Sequence, residues 1–224
     1  NYSVTVTYLE NDKYLDATVA GWVNVTAKGS SSIEIDVESI YKVGDKIVIN
    51  LTATNSTGKV TVTINGKSYN VTDYKVIIDD GLETGDYIIN AILDGDADYY
   101  GSNATKSFSV VKNDIEVTLD ATAPIIVGSP VTFTAKLNES VTGDVIFTIN
   151  GANYTVHVSD ANVATYEYTP VNNETLTVVA TFAGNDKYNA NSSATEEFEV
   201  NKVPTKLSIE LDKTSIVVGD DAVV

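Results

Sequence analysis

Asparagine in the spacing Asn-x-Ser/Thr is the motif in this sequence that most directly predicts chemistry. The side-chain amide in this spacing accepts an N-linked glycan, a bulky polar modification of surface segments. Chance alone would give about four such motifs in a chain of this composition. The sequence contains ten, beginning at Asn1, Asn24, Asn50, Asn55, Asn70, Asn103, Asn138, Asn153, Asn173 and Asn191. We expect several to be glycosylated; the alternative is that strands rich in Asn and Thr generate the motif passively.

A second stretch, DGDADY, has the residue types of a calcium site. Asp94, Asp96 and Asp98 alternate, so an extended backbone would place three carboxylates on one side, and Ca²⁺ prefers such oxygen ligands. Similar stretches elsewhere place Lys13 and Lys187 where Asp98 stands. Because an ammonium group is not a metal ligand, we expect a solvated turn here, with no metal and no other cofactor.

Residues suited to catalysis are scarce. His157 is the only histidine, which excludes a multi-histidine metal site and leaves little for a Ser–His–Asp arrangement, so we expect it at the surface. An isopeptide cross-link from Lys46 or Lys136 to an asparagine is a further alternative. Lys136, however, follows the inward position Ala135 and should point outward. We therefore expect no catalytic residue and no enzymatic activity.

The charge of the chain restricts its partners. There are 31 acidic residues against 14 lysines, and the net charge is −17. Binding of phosphate groups needs clustered Lys and Arg, so we expect no nucleic-acid partner. No apolar run approaches the roughly 20 residues of a membrane helix, so we expect no membrane insertion in this segment. The sequence has no cysteine, which excludes disulfides and thiolate metal sites.

Internal repetition predicts the architecture. GKVTVTINGKSYNV (58–71) and GDVIFTINGANYTV (143–156) align at an offset of 85, and Tyr14, Tyr99 and Tyr188 recur in an acidic loop at a similar spacing. Within each copy apolar residues alternate with polar ones between Asn-Gly and Gly-Asp turns. This pattern predicts short antiparallel strands and no helix of any length. Six to eight strands in a copy suit a β-sandwich.

The register of the copies predicts four segments. Residues 32–111 and 114–200 correspond to complete domains. Residues 1–26 correspond to the C-terminal strands of a preceding repeat, and 205–224 to the N-terminal strands of a following one. Trp22 stands where the complete copies have phenylalanine, and we expect it in core or interdomain packing. The linkers are short, so the expected fold is all-β, with sandwiches in an elongated, stiff tandem array.

The closing half of each copy resembles a known family. TGDYIINAILDGDADYYGSNATKSFSVV (84–111) and LTVVATFAGNDKYNANSSATEEFEV (176–200) are similar to bacterial and archaeal Ig-like repeats, with a pattern like Y-x-V-x-A-x-Y-x-G-D-x-x-Y-x-x-S before F-x-V. Such repeats build large adhesin-like cell-surface proteins. The resemblance implies Ig-like sandwiches and an extracellular setting, but no ligand. Tyr87 resembles the tyrosine corner of Ig strand F, and Leu176 replaces it in the later copy.

Two classes of function are compatible with these features. The first is a structural stalk or filament segment of a surface glycoprotein, whose partners are neighbouring repeats, identical chains and N-linked glycans. The second is a glycan- or protein-binding module that uses exposed loop tyrosines, namely Tyr99, Tyr100 and Tyr188. An accessory module of a large enzyme is a third alternative. Burial of the loop tyrosines would favour the structural function, whereas exposure and clustering with Tyr69 or Tyr154 would favour binding.

Overall fold

The computed structural model describes residues 1–210, 215 and 217–219. Its secondary structure is β-strand, and this described part contains no helix that could span a membrane. The chain divides into two compact units, Asn1–Val111 and Lys112–Val224. Residues 205–210 carry no strand. Most of the remaining predicted strand pair lies outside the described residues, so the prediction for 205–224 stays a prediction.

The first unit contains a hairpin followed by a two-sheet sandwich. A three-stranded sheet has the order β3-β5-β8, and a five-stranded sheet has the order β4-β10-β9-β6-β7. The strands are β1 (Tyr2–Tyr8), β2 (Ala17–Val23), β3 (Ser32–Asp36), β4 (Ile40–Lys42), β5 (Ile47–Thr54), β6 (Val60–Ile64), β7 (Lys67–Tyr69), β8 (Lys75–Ile78), β9 (Gly85–Leu93) and β10 (Ser102–Val111).

Alternation along the strands builds the core of this sandwich. Ile47 and Ile49 are fully buried, while Val48 between them is only half-buried, because successive side chains of a strand point to opposite faces. The buried face of β5 belongs to one cluster with the buried residues of β6 and β9, such as Val62 and Ile89. The burial pattern of β5 confirms the alternation predicted for the strands.

The described part of the second unit contains six strands in one connected sheet. They are β11 (Val117–Ala121), β12 (Val131–Ile149), β13 (Ala152–Tyr168), β14 (Leu176–Phe182), β15 (Asn191–Ser192) and β16 (Glu196–Phe198). The order is β11-β12-β14-β15, with β13 paired to β12 and β16 paired to β14. Phe133, Phe147 and Phe182 are fully buried at its centre, and burial of each such side chain contributes roughly 1.5–3 kcal/mol.

The prediction of short strands is wrong for β12 and β13, which have 19 and 17 residues. The first half of β12 pairs with β11 and its second half with β14. The single strand β12 therefore corresponds to the two strands β5 and β6 of the first unit. Register shifts between Lys136 and Gly143 mark an irregularity in the β12–β13 pairing, and a β-bulge lets a strand bend without ending. In the first unit Asn55 adopts a left-handed φ of 72° and the strand ends.

Asn-Gly turns close equivalent hairpins in both units. Asn65 and Gly66 have φ of 47° and 81°, and Asn150 and Gly151 have φ of 45° and 84°. Two successive left-handed residues are what a type I′ turn requires. The turn asparagines also bind the next strand, since the Oδ1 atom of Asn150 accepts the Thr177 N–H at 2.8 Å. The predicted Asn-Gly hairpins are confirmed.

The hairpin β1–β2 at residues 2–23 pairs with no other strand in the described part of the chain. Its residues are exposed on both faces. Trp22 is 76% exposed, which differs from the expected core or interdomain packing. The physical reason is that a two-stranded hairpin offers no opposing layer against which a side chain could be buried.

Candidate functional site: the recurring tyrosine loop

One turn conformation recurs in the three tyrosine loops. In each, a side-chain oxygen accepts hydrogen bonds from the backbone N–H groups two and three residues further on, which is an Asx turn. The pairs of turn residue and tyrosine are Asn11 with Tyr14, Asp96 with Tyr99, and Asn185 with Tyr188, at 2.8–3.0 Å. Both an amide oxygen and a carboxylate oxygen can accept these bonds, so the turn residue varies between Asn and Asp while the turn itself is kept.

In the first unit, the segment before the sandwich pairs with this loop. Gly29 forms a parallel bridge with Tyr99. The Gly29 N–H donates to the Asp98 carbonyl at 2.8 Å, and the Tyr100 N–H donates to the Gly29 carbonyl at 2.9 Å. The Lys28 ammonium group adds a hydrogen bond to the Asp96 carbonyl.

The second unit repeats this arrangement with different residues. Asn113 bridges Tyr188; its N–H donates to the Lys187 carbonyl at 2.9 Å and its carbonyl accepts the Asn189 N–H at 2.8 Å. The ammonium group of Lys112 donates to the Asn185 carbonyl. We call this arrangement the clasp: residues 28–29 with 94–101 in the first unit, and 112–113 with 183–190 in the second.

Sequence reasoning missed the clasp lysines. Lys28 and Lys112 are 84 residues apart, which is within one residue of the offset of 85 between the two copies. This spacing was the available signal, but both lysines fall in stretches whose composition is typical of linkers. Sequence patterns report side-chain periodicity, whereas the clasp is made largely by backbone groups, which leave no such trace.

The loop tyrosines in the two sandwiches pack against the protein. Tyr188 is only 8% exposed. Tyr99 is half-buried, and its ring lies over Gly29, where an added Cβ would come within 2.8 Å of the ring. Tyr14, in the hairpin, is exposed. The exposed Tyr100 has Asn189 as its counterpart, so it does not recur.

The variable lysines of the loop have a local role. The Nζ atom of Lys187 lies 5.4 Å from the centroid of the Tyr188 ring, and that of Lys13 lies 5.8 Å from the Tyr14 ring. Such cation–π contacts contribute roughly 0.5–1 kcal/mol at exposed sites. These contacts account for the lysines in two of the three loops, at the position that Asp98 holds in the loop of the first sandwich.

The second tyrosine group lies apart from the clasp. Tyr154 stacks on Tyr166 with ring centroids 4.7 Å apart and is 6.1 Å from Tyr168. Burial raises the pKa of Tyr166, as do its two tyrosine neighbours. Within the described residues no ring contact joins Tyr99 or Tyr188 to this group.

The second terminal atom of the turn side chain, which does not take part in the Asx turn, differs between the two sandwiches. The Oδ2 atom of Asp96 accepts the Thr57 N–H at 2.8 Å and the Thr57 hydroxyl at 3.1 Å. At Asn185 the same position is an amide Nδ2, which donates to the Thr142 carbonyl at 3.0 Å. The hydrogen bond from the Thr57 N–H, followed by that from Asp98, holds the pKa of Asp96 well below its ordinary value.

These contacts bear on the calcium alternative. Both carboxylate oxygens of Asp96 are already used by the fold, and Asp94 and Asp98 are exposed. Among the described residues no three His, Asp or Glu side chains form a group that could hold a metal ion. The geometry is that of a hydrogen-bonded turn.

The remaining predicted positions are located as follows. His157 is exposed and its Nδ1 atom lies 2.7 Å from Asp144 Oδ1, as expected of a surface residue. The Tyr87 hydroxyl donates to the Glu83 carbonyl at 2.8 Å, and its ring stacks on Phe108 at 5.2 Å. This confirms the tyrosine corner.

The glycosylation motifs lie at the surface of both units. Nine of the ten asparagines are exposed, and Asn50, on the central strand β5, is half-buried. The nine are Asn1, Asn24, Asn55, Asn70, Asn103, Asn138, Asn153, Asn173 and Asn191. Glycosylation itself stays a prediction.

Comparison with known proteins agrees with the fold. Residues 117–201 match the family model of the bacterial Ig-like domain, group 3. The matched bacterial Ig-like domain contains all six strands of the second unit and the loop of its clasp. Together with the two-sheet sandwich of the first unit, the match confirms an all-β, Ig-like architecture. No curated protein matches the sequence.

Solved structures similar to this chain include a 1.5-MDa bacterial ice-binding adhesin, at 18% identity, TM-score 0.35, 79% of this chain and 67% of that one. A Ca²⁺-stabilised, ice-binding adhesin of an Antarctic bacterium has 17% identity and a TM-score of 0.36, covering 91% and 57%. The titin I9–I11 tandem has 10% identity and a TM-score of 0.35, covering 76% and 66%. The chain thus spans 57–67% of the length of these structures.

Proposed function

We propose that this chain is a non-catalytic structural segment of an extracellular, adhesin-like surface protein. Its Ig-like domains act as tandem spacers that hold a functional part of the protein away from the cell. The family match supports the Ig-like domain, and the clasp is the observation that carries the structural role. A module built only to bind a ligand has no need of a backbone-bonded connection at the same place in both copies.

The connection between the sandwiches leaves no free residue. The carbonyl of Val111, the last residue of β10, accepts the Val43 N–H at 2.9 Å within the first unit. The next residue, Lys112, is bonded to Asn185, and Asn113 is bridged to the tyrosine loop of the second unit. We infer a stiff linker from this, because the length and composition of a linker set its stiffness. The negative charge of the chain adds repulsion between copies.

Backbone ¹⁵N relaxation of the full chain tests this proposal. We expect the two sandwiches to share one rotational correlation time. Four Gly-Ser residues inserted between Val111 and Lys112 should separate the correlation times, whereas the same insertion in the exposed turn at Val171 should not. Independent tumbling of the sandwiches in the unmodified chain would contradict the proposal.

A binding function has one specific observation in its favour. Tyr100 is 60% exposed. Its backbone N–H belongs to the clasp, while its exposed aromatic ring can serve as a platform for a sugar. Binding on a glycan array that is lost in Tyr100→Ala would establish this second function. Tyr99→Ala is not a suitable test, because that ring also packs on Gly29.

A further inference from the structure

We propose that N-linked glycans are attached to Asn103 and Asn173, one in each sandwich, and that the fold itself excludes Asn55 and Asn191. Transfer requires an activated sugar with a diphosphate leaving group and a glycosyltransferase. The Asn Nδ2 atom forms a bond to C1 of the sugar and loses one proton, while the C1–O bond breaks and the diphosphate leaves with the electron pair. The amide must therefore be free to turn towards the enzyme.

The amide nitrogens of Asn55 and Asn191 are held by the backbone. The Nδ2 atom of Asn55 donates to the Ser30 carbonyl at 2.9 Å. The Nδ2 atom of Asn191 donates to the carbonyl of Ile115, a residue that is only 2% exposed. Glycan transfer at either site would first have to break a bond that fixes the start of a sandwich.

Asn103 and Asn191 show how the register of a strand decides whether an asparagine amide is held by the backbone. Asn191 lies opposite Phe182 in the β14–β15 pair, and the residue at the same place in the first unit is Ser102. Asn103 lies one position further, opposite Ile92. A shift of one residue moves a side chain to the other face of a sheet. Asn103 is accordingly exposed and its side chain has no hydrogen bond to any described residue, while Asn191 is bonded to the fold.

Asn173 lies at the tip of a turn. The preceding residue, Asn172, forms the turn, since its Oδ1 atom accepts the Glu174 N–H at 3.2 Å. Asn173 is exposed, and its amide has no hydrogen-bond partner within the described chain. Val171, two residues away, is 86% exposed.

The other Asn-x-Ser/Thr motifs within the sandwiches are less suited to glycan attachment. Asn70 donates to the Thr72 hydroxyl at 3.2 Å. The side-chain oxygens of Asn138 and Asn153 accept hydrogen bonds, which fixes the amide plane. Asn50 is half-buried on a central strand.

A glycan at each proposed site would cover an exposed apolar side chain. Ile92 is 49% exposed and pairs directly with Asn103 across the strands. Val171 adjoins Asn173 in the same turn. The apolar faces of sugar rings can cover such side chains, which gives the modification a solubilising role.

Glycopeptide mass spectrometry of the full chain, secreted from a host that performs N-glycosylation, tests the proposal. We expect glycans on Asn103 and Asn173 and unmodified Asn55 and Asn191. Asn55 is the matched comparison, because its motif ends in threonine like those of Asn103 and Asn173. Thr105→Ala and Thr175→Ala should each abolish one glycopeptide while leaving the other.

Two results would overturn the proposal. One is a glycan on Asn55 or Asn191 at an occupancy comparable with that of Asn103. The other is unmodified Asn103 and Asn173 in material where a reference glycoprotein from the same host is fully glycosylated. Because the comparison uses the unsubstituted chain, neither result depends on the folding of a variant.

Discussion

Replacement of Asn185 by aspartate should destabilise the second sandwich, although it keeps the Asx turn. Oδ1 can still accept the N–H groups of Lys187 and Tyr188, as it does now. The other end of the side chain changes from an NH₂ group to an oxygen. That oxygen would face the Thr142 carbonyl, to which Nδ2 now donates at 3.0 Å.

The expected loss of stability follows from replacing this one NH₂ group by an oxygen. A lost neutral hydrogen bond costs about 0.5–1.5 kcal/mol. The new carboxylate also faces the negative end of a carbonyl dipole, but Asn185 is only half-buried, so water reduces the repulsion. We therefore expect a loss of about 1 kcal/mol. In a domain of this size, that lowers the melting temperature by roughly 4–8 °C.

The reciprocal change supplies an internal test. In Asp96→Asn the new NH₂ group would face the Thr57 N–H, which now donates to the carboxylate at 2.8 Å. Asparagine thus fits the second sandwich, where the partner is a carbonyl, and aspartate fits the first, where the partner is an N–H. Exchanging the two residue types should destabilise both sandwiches. Asn185→Asp should lower the second domain's transition, and Asp96→Asn the first domain's.

Differential scanning calorimetry of the full chain measures both transitions. Val171→Asp is the matched control for Asn185→Asp, because it adds the same charge at an exposed position that makes no hydrogen bond. We expect the control to shift neither transition. Unchanged transitions in both Asn185→Asp and Asp96→Asn would refute the stabilising role of the hydrogen bonds from Asn185 to Thr142 and from Thr57 to Asp96.

Three further predictions follow from the contacts above. Tyr87→Phe should destabilise the first sandwich by about 1 kcal/mol, because the bond to Glu83 is lost while the ring remains; an unchanged urea midpoint would contradict this. His157→Ala should cost less than about 1 kcal/mol, since its side-chain contact with Asp144 is exposed; a larger loss in a urea titration would show that it is more than a surface contact. Because hydrogen bonds lower the folded-state pKa of Asp96, its contribution is present above the ordinary carboxyl pKa of 3.8 and is lost as the pH falls below it. Asp96→Asn should weaken the acid dependence of unfolding, and parallel curves for the two proteins would refute this.

Side-chain periodicity in the sequence was sufficient to predict much of the fold. The alternation within each copy predicted the strands, and Ile47 and Ile49 of β5 are buried as that alternation requires, because a strand exposes alternate faces. The Asn-Gly pairs predicted both hairpins because few other residues adopt φ values above zero at low cost. The corner at Tyr87 was implied by the resemblance to Ig strand F and not by periodicity.

The features that sequence reasoning could not predict depend on the backbone or on context. The strand β12 continues through an irregularity in its pairing near Val141, whereas similar residues in the first unit end the strand at Thr54. Burial of Trp22 was expected from its equivalence to phenylalanines, but burial requires an opposing layer, which equivalence does not supply. The clasp escaped prediction because Gly29 and Asn113 share no side-chain chemistry.

Amide hydrogen exchange at Asn113 tests the central claim most directly, that the tyrosine loop anchors the segment before each sandwich. This N–H donates to the Lys187 carbonyl at 2.9 Å, in a position where a free linker would leave it in water. We predict that it exchanges as slowly as the strand amides of β14, and that the Gly29 amide is protected in the same way. Exchange of the Asn113 amide at the rate of an unstructured peptide would contradict the account.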